Sequence, residues 1–229
     1  MSEIASNLTR IRANIDQAAV LAGRDPQSIK LIAVSKTKPM ELIQEAWEAG
    51  QVEFGENRPQ ELRDKHPQLP NARWHMIGSL QRNKIKYLMP WISLIHSVDS
   101  EKLLAEISKQ AQKHETDIEI LIQLNISEED AKSGLDENSS EELLSRMDDF
   151  PNVRIKGLMG MAAFVEDEEV IRSQFRRLRL ASERLKESIQ HPRVEMEELS
   201  MGMSGDFAIA IEEGSTMVRV GSAIFGSRY

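Results

Sequence analysis

The sequence contains no cysteine, and this absence excludes several kinds of chemistry at once. Disulfide bonds, thiolate nucleophiles and cysteine-ligated metals are all ruled out. The absence also agrees with a reducing compartment. We therefore expect a cytoplasmic protein and predict no metal site.

Long apolar segments are also missing. No run approaches the roughly 18 apolar residues of a membrane span. The amino-terminal segment carries Glu3, Arg10, Arg12 and Asp16, which a secretory signal peptide does not tolerate. We expect no interaction with a membrane.

Positive charge is in deficit, with 29 Lys and Arg against 37 Asp and Glu and a formal net charge of −8. An acidic surface repels phosphate backbones, so we expect no nucleic-acid partner. Any site for an anion must therefore be local.

The sequence alternates short apolar segments with helical ones. The predicted strands cover residues 31–35, 52–54, 74–78, 92–96, 118–125, 153–159, 194–199 and 216–220. An amphipathic helix over residues 3–22 precedes them, a basic helix ends near Pro90, and another helix starts at a capping Ser100. The pattern predicts a single α/β domain over residues 1–229, a (β/α)8 TIM barrel with an extra N-terminal helix. An open doubly wound sheet is the alternative.

Lys36 ends the first predicted strand. On a two-residue period Ile32, Val34 and Lys36 share one face, so Lys36 lies at the rim if that face is an interior. Burial favours the neutral amine, which can form a Schiff base with an aldehyde or ketone. The alternative is a solvated lysine just beyond a strand, which is the commoner case for a lysine considered alone.

Strand ends of a barrel meet at one mouth, and two small-residue turns follow the adjacent strands 7 and 8. Residues 200–204 and the turn at Gly221 and Ser222 could bind phosphate through N–H groups and hydroxyls, although each turn alone is more often a cap. Arg219 lies in an apolar strand and needs a partner, either a carboxylate or a ring nitrogen of a ligand. His75 is more often a packed strand histidine than a catalytic one.

Several segments resemble the pyridoxal phosphate homeostasis protein family, also called the YggS or proline synthase co-transcribed family. They include Ala-Val-Ser-Lys-Thr-Lys-Pro at 33–39, Phe-Gly-Glu-Asn at 54–57 and Leu-Ser-Met-Gly-Met-Ser at 199–204. The others are residues 74–78, 80–81, 83–84, 132–134, 157–159, 214–221 and 224–228, together with Asn125. The sequence departs from the family pattern at Arg58-Pro59, which concerns the outer wall of the pocket, and at Gly160-Met161, which concerns its mouth.

The resemblance implies a barrel related to the N-terminal domain of bacterial alanine racemase. That barrel would hold pyridoxal 5′-phosphate (PLP), the vitamin B6 cofactor, as an internal aldimine on Lys36. By the same resemblance Ser200 and the backbone of Gly221 and Ser222 would hold the phosphate. Arg219 would face the pyridine nitrogen, with a phosphate contact as its alternative. The residues implied to line the cofactor are Asn57, His75, Met201 and Thr216.

The resemblance leads to a non-enzymatic function, PLP homeostasis by storage, buffering or delivery without strong turnover. The sequence has only two tyrosines, Tyr87 and Tyr229, and lacks the second domain that supplies a catalytic tyrosine in alanine racemase. Arginine at the ring nitrogen would also weaken the cofactor as an electron sink. We expect a monomer, with PLP-dependent apo-enzymes as candidate partners. The alternatives are a small PLP-dependent amino-acid racemase or lyase, and a cofactor-free aldolase-like barrel.

Overall fold

The protein forms a closed barrel of eight parallel strands. The computed structural model describes residues 2–127 and 134–226. The strands are β1 Lys30–Val34, β2 Glu53–Glu56, β3 Arg73–Met76, β4 Leu94–Val98, β5 Ile118–Gln123, β6 Val153–Met159, β7 Val194–Ser200 and β8 Met217–Val220. They pair in chain order, and β8 pairs with β1. The predicted TIM barrel is confirmed, and closure excludes the open sheet.

Helices follow the strands and form the outer layer. They are α1 Glu3–Leu21, α2 Met40–Glu48, α3 Pro59–Lys65, α4 Glu101–Lys113, α5 Glu137–Ser145, α6 Glu168–Ser188, α7 Phe207–Glu212 and α8 Ser222–Phe225. Within the described ranges no helix is long and apolar enough to cross a membrane. Parts of three predicted features lie outside the described residues: Lys132 and Ser133, Ser227 and Arg228, and Tyr229.

Several local predictions were wrong, and among the strands β2 ends two residues later and β3 and β5 end two residues earlier than predicted. The basic helix is a single 3-10 segment, Arg82–Tyr87, because only Ile85 in it is buried and an α-helix would have no apolar stripe to pack. Strand β4 starts two residues later than predicted. Ser100 is the N-cap residue of α4 by position, but its side chain accepts no hydrogen bond from the helix, and its hydroxyl donates to the Asp99 carboxylate at 3.1 Å.

Helix α1 is a packing element on the outside of the barrel. Its buried face carries Ile4, Leu8, Ile11 and Ile15 and packs against α2, α7 and α8. This is the amphipathic stripe that the sequence predicts.

The barrel has two cores. Outward-facing side chains of the strands pack against the helices in one large cluster. A smaller inner cluster is formed by Ile32, Leu94, Leu121, Met159 and Met217. Because side chains alternate along a strand, the neighbours of these residues at two-residue spacing also point inward.

A buried polar cluster supports the turn after β1. Lys65 donates to the Ser35 carbonyl oxygen at 3.0 Å and to the Glu56 carboxylate at 2.7 Å. Thr37 has a φ of 64° and donates its backbone N–H to the Glu61 carboxylate at 2.8 Å. A positive φ is costly for a β-branched residue, so these contacts hold the turn in a conformation it would not keep alone.

Gly157 allows an irregularity in the pairing of β6 with its neighbours. The register shifts beside it, its φ is 155°, and a Cβ atom there would lie 1.9 Å from the Glu198 carbonyl oxygen.

We predict that Gly157→Ala lowers the free energy of unfolding by about 3 kcal/mol or prevents folding. Gly50→Ala is the matched control, since Gly50 has a φ of 82° and no atom near the Cβ position. It should cost about 1 kcal/mol in urea denaturation. Equal losses in the two variants would contradict the steric explanation.

Glu56 should make stability depend on pH. Burial raises the pKa of the Glu56 carboxyl from its ordinary 4.5 to about 7, although the Lys65 charge opposes the shift. Between these values the folded protein binds more protons than the unfolded chain, so the free energy of unfolding falls as pH rises. Glu56→Gln should remove a component on the order of 3 kcal/mol from this dependence, measured by urea denaturation from about pH 4 to 8.

The control for this experiment is Glu48→Gln on the exposed end of α2, which should keep the wild-type dependence. A Glu56→Gln curve parallel to that of the wild type would contradict the assignment.

Candidate functional site

A cavity of about 680 Å³ opens where the loops after β1, β2, β6, β7 and β8 meet, at the carboxyl end of the barrel. Its volume lies in the range of small-molecule and cofactor sites. Five of the predicted site residues line it, namely Lys36, Asn57, Arg219, Gly221 and Ser222. A groove of about 670 Å³ beside the start of α4 contains none of the predicted residues.

Lys36 stands at the rim of this cavity, two residues beyond the end of β1. Ile32 belongs to the inner cluster, Val34 lines the cavity, and Lys36 continues the same alternation. Its side chain is half-buried. The structure therefore agrees with the predicted position at the rim of an interior.

Arg219 enters the cavity from below. It points into the barrel from β8 and is 5% exposed. Its Nη1 donates to the Ser200 carbonyl oxygen at 2.7 Å and to Ser200 Oγ at 2.6 Å, and its Nη2 donates to the Gly160 carbonyl oxygen at 3.1 Å. These bonds use three of the five guanidinium donors, and two remain for a ligand.

The charge of Arg219 survives its burial. Burial lowers the pKa of the guanidinium to about 10, and the Asp206 carboxylate opposes the shift. The group is therefore protonated at neutral pH. Its bound partners are carbonyls and a hydroxyl, not a carboxylate, so the positive charge is available to the cavity.

The loops after β7 and β8 form one wall. Gly221 lets the end of β8 lie against the end of β1, because a Cβ atom there would be 3.1 Å from the Val34 carbonyl oxygen. The Ser222 hydroxyl donates to Ser204 Oγ at 3.4 Å and links the two loops. The hydroxyls of Ser204 and Ser222 thus lie together at this side of the cavity.

The loop after β2 contributes Asn57. Its backbone lies so close to Gly78 that a Cβ atom on the glycine would be 2.6 Å from the Asn57 carbonyl oxygen. Arg58 is exposed and Pro59 is the first residue of α3, and neither lines the cavity. Met161, at the second position where a departure from the family pattern is expected, does line the cavity.

Four predicted site residues do not line the cavity. His75 and Ser200 are buried in the barrel interior, and Met201 points outward into the large core. Thr216 precedes β8, which places it about 13 Å along the strand from the mouth; its hydroxyl donates to the Glu198 carboxylate at 2.6 Å. The geometry gives Ser200 a different contact from the predicted one, since its hydroxyl already bonds Arg219.

Two features were missed. His96 lies in the middle of β4 with no exposure, and nothing in its sequence surroundings distinguishes it from a packed residue. Phe164 follows β6, is fully exposed and lines the cavity. This second feature had a signal, because every loop after a barrel strand leads to the mouth.

The cavity carries more positive than negative charge. Lys36, Lys38 and Arg219 line it together with Glu166 and Asp206. In a chain of net charge −8 this is the local reversal of sign that an anion site requires.

Comparison with known proteins agrees with this geometry. Residues 6–229 match the family described as "Alanine racemase, N-terminal domain". The pyridoxal phosphate homeostasis protein of Aquifex aeolicus (strain VF5) is 41% identical over 223 residues, which is 96% of each chain.

Two solved structures share the barrel. PipY of Synechococcus elongatus PCC7942, with PLP bound, has a TM-score of 0.85 at 33% identity, covering 97% of this chain and 100% of that one. Alanine racemase from Streptomyces lavendulae has a TM-score of 0.78 at 18% identity, covering 99% of this chain and 57% of that one, a likeness of fold alone. With a full-length relative at this identity, the chain belongs to the pyridoxal phosphate homeostasis protein family, built on the alanine racemase N-terminal domain.

Proposed function

We propose that this protein binds PLP at the carboxyl end of its barrel and serves PLP homeostasis by storing, buffering or delivering the cofactor. The observation that carries the proposal is one cavity, of cofactor size, lined by a strand-end lysine and a buried arginine with two open donors. The PLP bound to PipY, which has the same fold at 33% identity, supports it.

Lys36 is proposed as the residue that bonds the cofactor. Its amine adds to the aldehyde carbon, water leaves, and a Schiff base remains that an incoming amine can displace. The half-buried rim position supports this role, because the amine must lose a proton to react and must remain accessible for release. Lys38 lines the same cavity and serves as an internal comparison.

The phosphate is proposed to lie against the loops after β7 and β8. The backbone N–H groups at Gly221 and Ser222 and the hydroxyls of Ser204 and Ser222 offer donors there. Barrels commonly hold phosphate with these two loops. Ser204 replaces the predicted Ser200 in this role, because the Ser200 hydroxyl is committed to other partners.

Arg219 is proposed to face the pyridine nitrogen. With a pKa of about 10 it keeps its proton at neutral pH, so the ring nitrogen it contacts stays unprotonated. PLP withdraws electrons from a substrate most strongly when that nitrogen is protonated. The described residues that line the cavity also include no tyrosine. Both features favour a carrier over an amino-acid racemase or lyase.

The cellular role follows from the reversible bond. A Schiff base that exchanges with amines can pass PLP to apo-enzymes, which are the proposed recipients. A closed barrel has no free sheet edge to pair with a second copy, which supports the proposed monomer. The absence of cysteine supports the proposed cytoplasmic location.

We predict that the protein with PLP absorbs visible light, that borohydride fixes the cofactor on Lys36, and that Lys36→Ala has neither property. Peptide mass spectrometry locates the modified lysine. Lys38→Ala is the matched control, because this lysine lines the same cavity and should leave the Lys36 adduct intact. A colourless wild-type protein, or an adduct on Lys38, would overturn the assignment.

We also predict that the PLP-loaded protein does not racemise alanine or exchange its α-proton faster than free PLP does. Chiral chromatography and NMR in D₂O measure the two reactions. Acceleration that disappears in Lys36→Ala would show that the racemase or lyase alternative is correct.

A further inference from the structure

A line of buried polar side chains crosses the interior of the barrel below the cavity. We call it the buried chain, and its members are Glu53, His75, His96, Ser200 and Arg219. His75 Nε2 lies 2.6 Å from Glu53 Oε2, and His75 Nδ1 lies 2.9 Å from His96 Nε2. His96 Nδ1 lies 2.8 Å from Ser200 Oγ, which accepts from Arg219. Each member comes from a different strand.

The direction of the buried chain follows from Arg219, which can only donate hydrogen bonds. Because Ser200 Oγ accepts from Arg219, its single proton is free to be donated to His96 Nδ1. No other acceptor for this proton lies among the described residues, so His96 Nδ1 accepts it and the proton of His96 is on Nε2. It is donated to His75 Nδ1.

The same reasoning fixes the second ring. His75 Nδ1 accepts, so its proton is on Nε2 and is donated to Glu53. In the reverse direction Ser200 Oγ would accept from both Arg219 and His96, and its own proton would have no acceptor among the described residues. The first arrangement, with both imidazoles neutral, gives every ring nitrogen and the hydroxyl of the line a partner.

The pKa shifts of His96 and Glu53 agree with a neutral ring at the one and an ionised carboxylate at the other. Burial lowers the pKa of His96 well below its ordinary value. Burial acts to raise the pKa of Glu53, but the hydrogen bond from His75 and the nearby positive charges outweigh it and lower the pKa. A carboxylate thus ends the line at the amino end of the barrel, where Glu53 is 17% exposed.

We propose that the buried chain positions Arg219. Both Nη1 protons of Arg219 are donated to Ser200, from which the hydrogen bonds continue through the two histidines to the Glu53 carboxylate. The Gly160 carbonyl oxygen accepts from Nη2. The Nε proton and the second Nη2 proton have no partner among the described residues, and Arg219 lines the cavity. His96, His75 and Glu53 touch no ligand and act through the arginine, so they are positioning residues.

This inference rests on the proposed function only for the identity of the ligand that Arg219 meets. The hydrogen-bond direction and the hold on the guanidinium are properties of the protein without cofactor. They can be measured there, so a failure of PLP binding is distinguishable from a failure of the buried chain.

The first measurement is ¹⁵N NMR of the cofactor-free protein with labelled histidine, with His75 and His96 assigned by single substitutions. We expect both rings to be neutral with the proton on Nε2. A charged His96, or a proton on its Nδ1, would overturn the direction.

The second measurement is the exchange rate of the Arg219 guanidinium protons in cofactor-free protein, assigned with Arg219→Lys. Ser200→Ala and His96→Phe should speed exchange about tenfold, the order expected for losing a hydrogen bond to a charged group. Ser200→Thr should restore slow exchange, and His114→Gln, at an exposed histidine beyond α4, should not change it. If the Arg219 protons exchange at the wild-type rate in Ser200→Ala and His96→Phe, the buried chain only packs the interior and does not position Arg219, and the proposal is overturned.

The third measurement is PLP affinity in the same variants. Ser200→Ala should bind PLP about tenfold more weakly, and Ser200→Thr should recover the loss. If Ser200→Ala does not fold, the histidine tautomers of the wild type and the Ser200→Thr variant still test the proposal. It is supported when Arg219 protons exchange at the wild-type rate in Ser200→Thr and both histidines carry their proton on Nε2. A wild type that binds no PLP but shows the predicted tautomers and exchange would overturn the proposed function and leave the positioning of Arg219 standing.

Discussion

The pairing of β8 with β1 is the constraint on which the site depends. In this pairing Arg219 on β8 lies beside Ile32 on β1. Lys36 follows the end of β1. Gly221 then brings the two strand ends within van der Waals distance. If strands in this same order did not close, β1 and β8 would lie at opposite edges of the sheet, and the lysine and the arginine could not share a cavity. The chemistry proposed for this protein is thus a consequence of closure.

The barrel uses its two cores for different purposes. The outer one is apolar and fixes the helices on the strands, which is where most of the free energy of folding arises. The inner one mixes five apolar residues with a line of polar ones. Burying arginine, histidine and glutamate is costly unless each is hydrogen-bonded. A complete set of partners reduces this cost and gives the guanidinium a single orientation.

The sequence was sufficient for the fold and for part of the site. Strand spacing predicted the barrel, and two-residue alternation predicted the position of Lys36. The position of the strand ends predicted the turn at Gly221 and Ser222, and the resemblance added Asn57 to the residues expected to line the cofactor. The sequence could not show how far inside the barrel each side chain lies, because the direction of a side chain at a strand end depends on the register with both neighbouring strands. For that reason the sequence could not show that the Ser200 hydroxyl bonds Arg219 inside the barrel. His96 escaped notice because a buried polar residue in mid-strand is distinguished only by partners distant in the chain.

The buried chain also bears on how barrels of this kind diverge. Its five members come from five strands, so no single mutation can replace the set. Losing any one member leaves a neighbour with an unpaired buried donor or acceptor, at a cost of about 1–3 kcal/mol. Replacing all of them together with apolar residues would avoid that cost. A protein that has the complete buried chain can therefore lose it one mutation at a time only through less stable intermediates. We expect the five residues to be kept together or lost together.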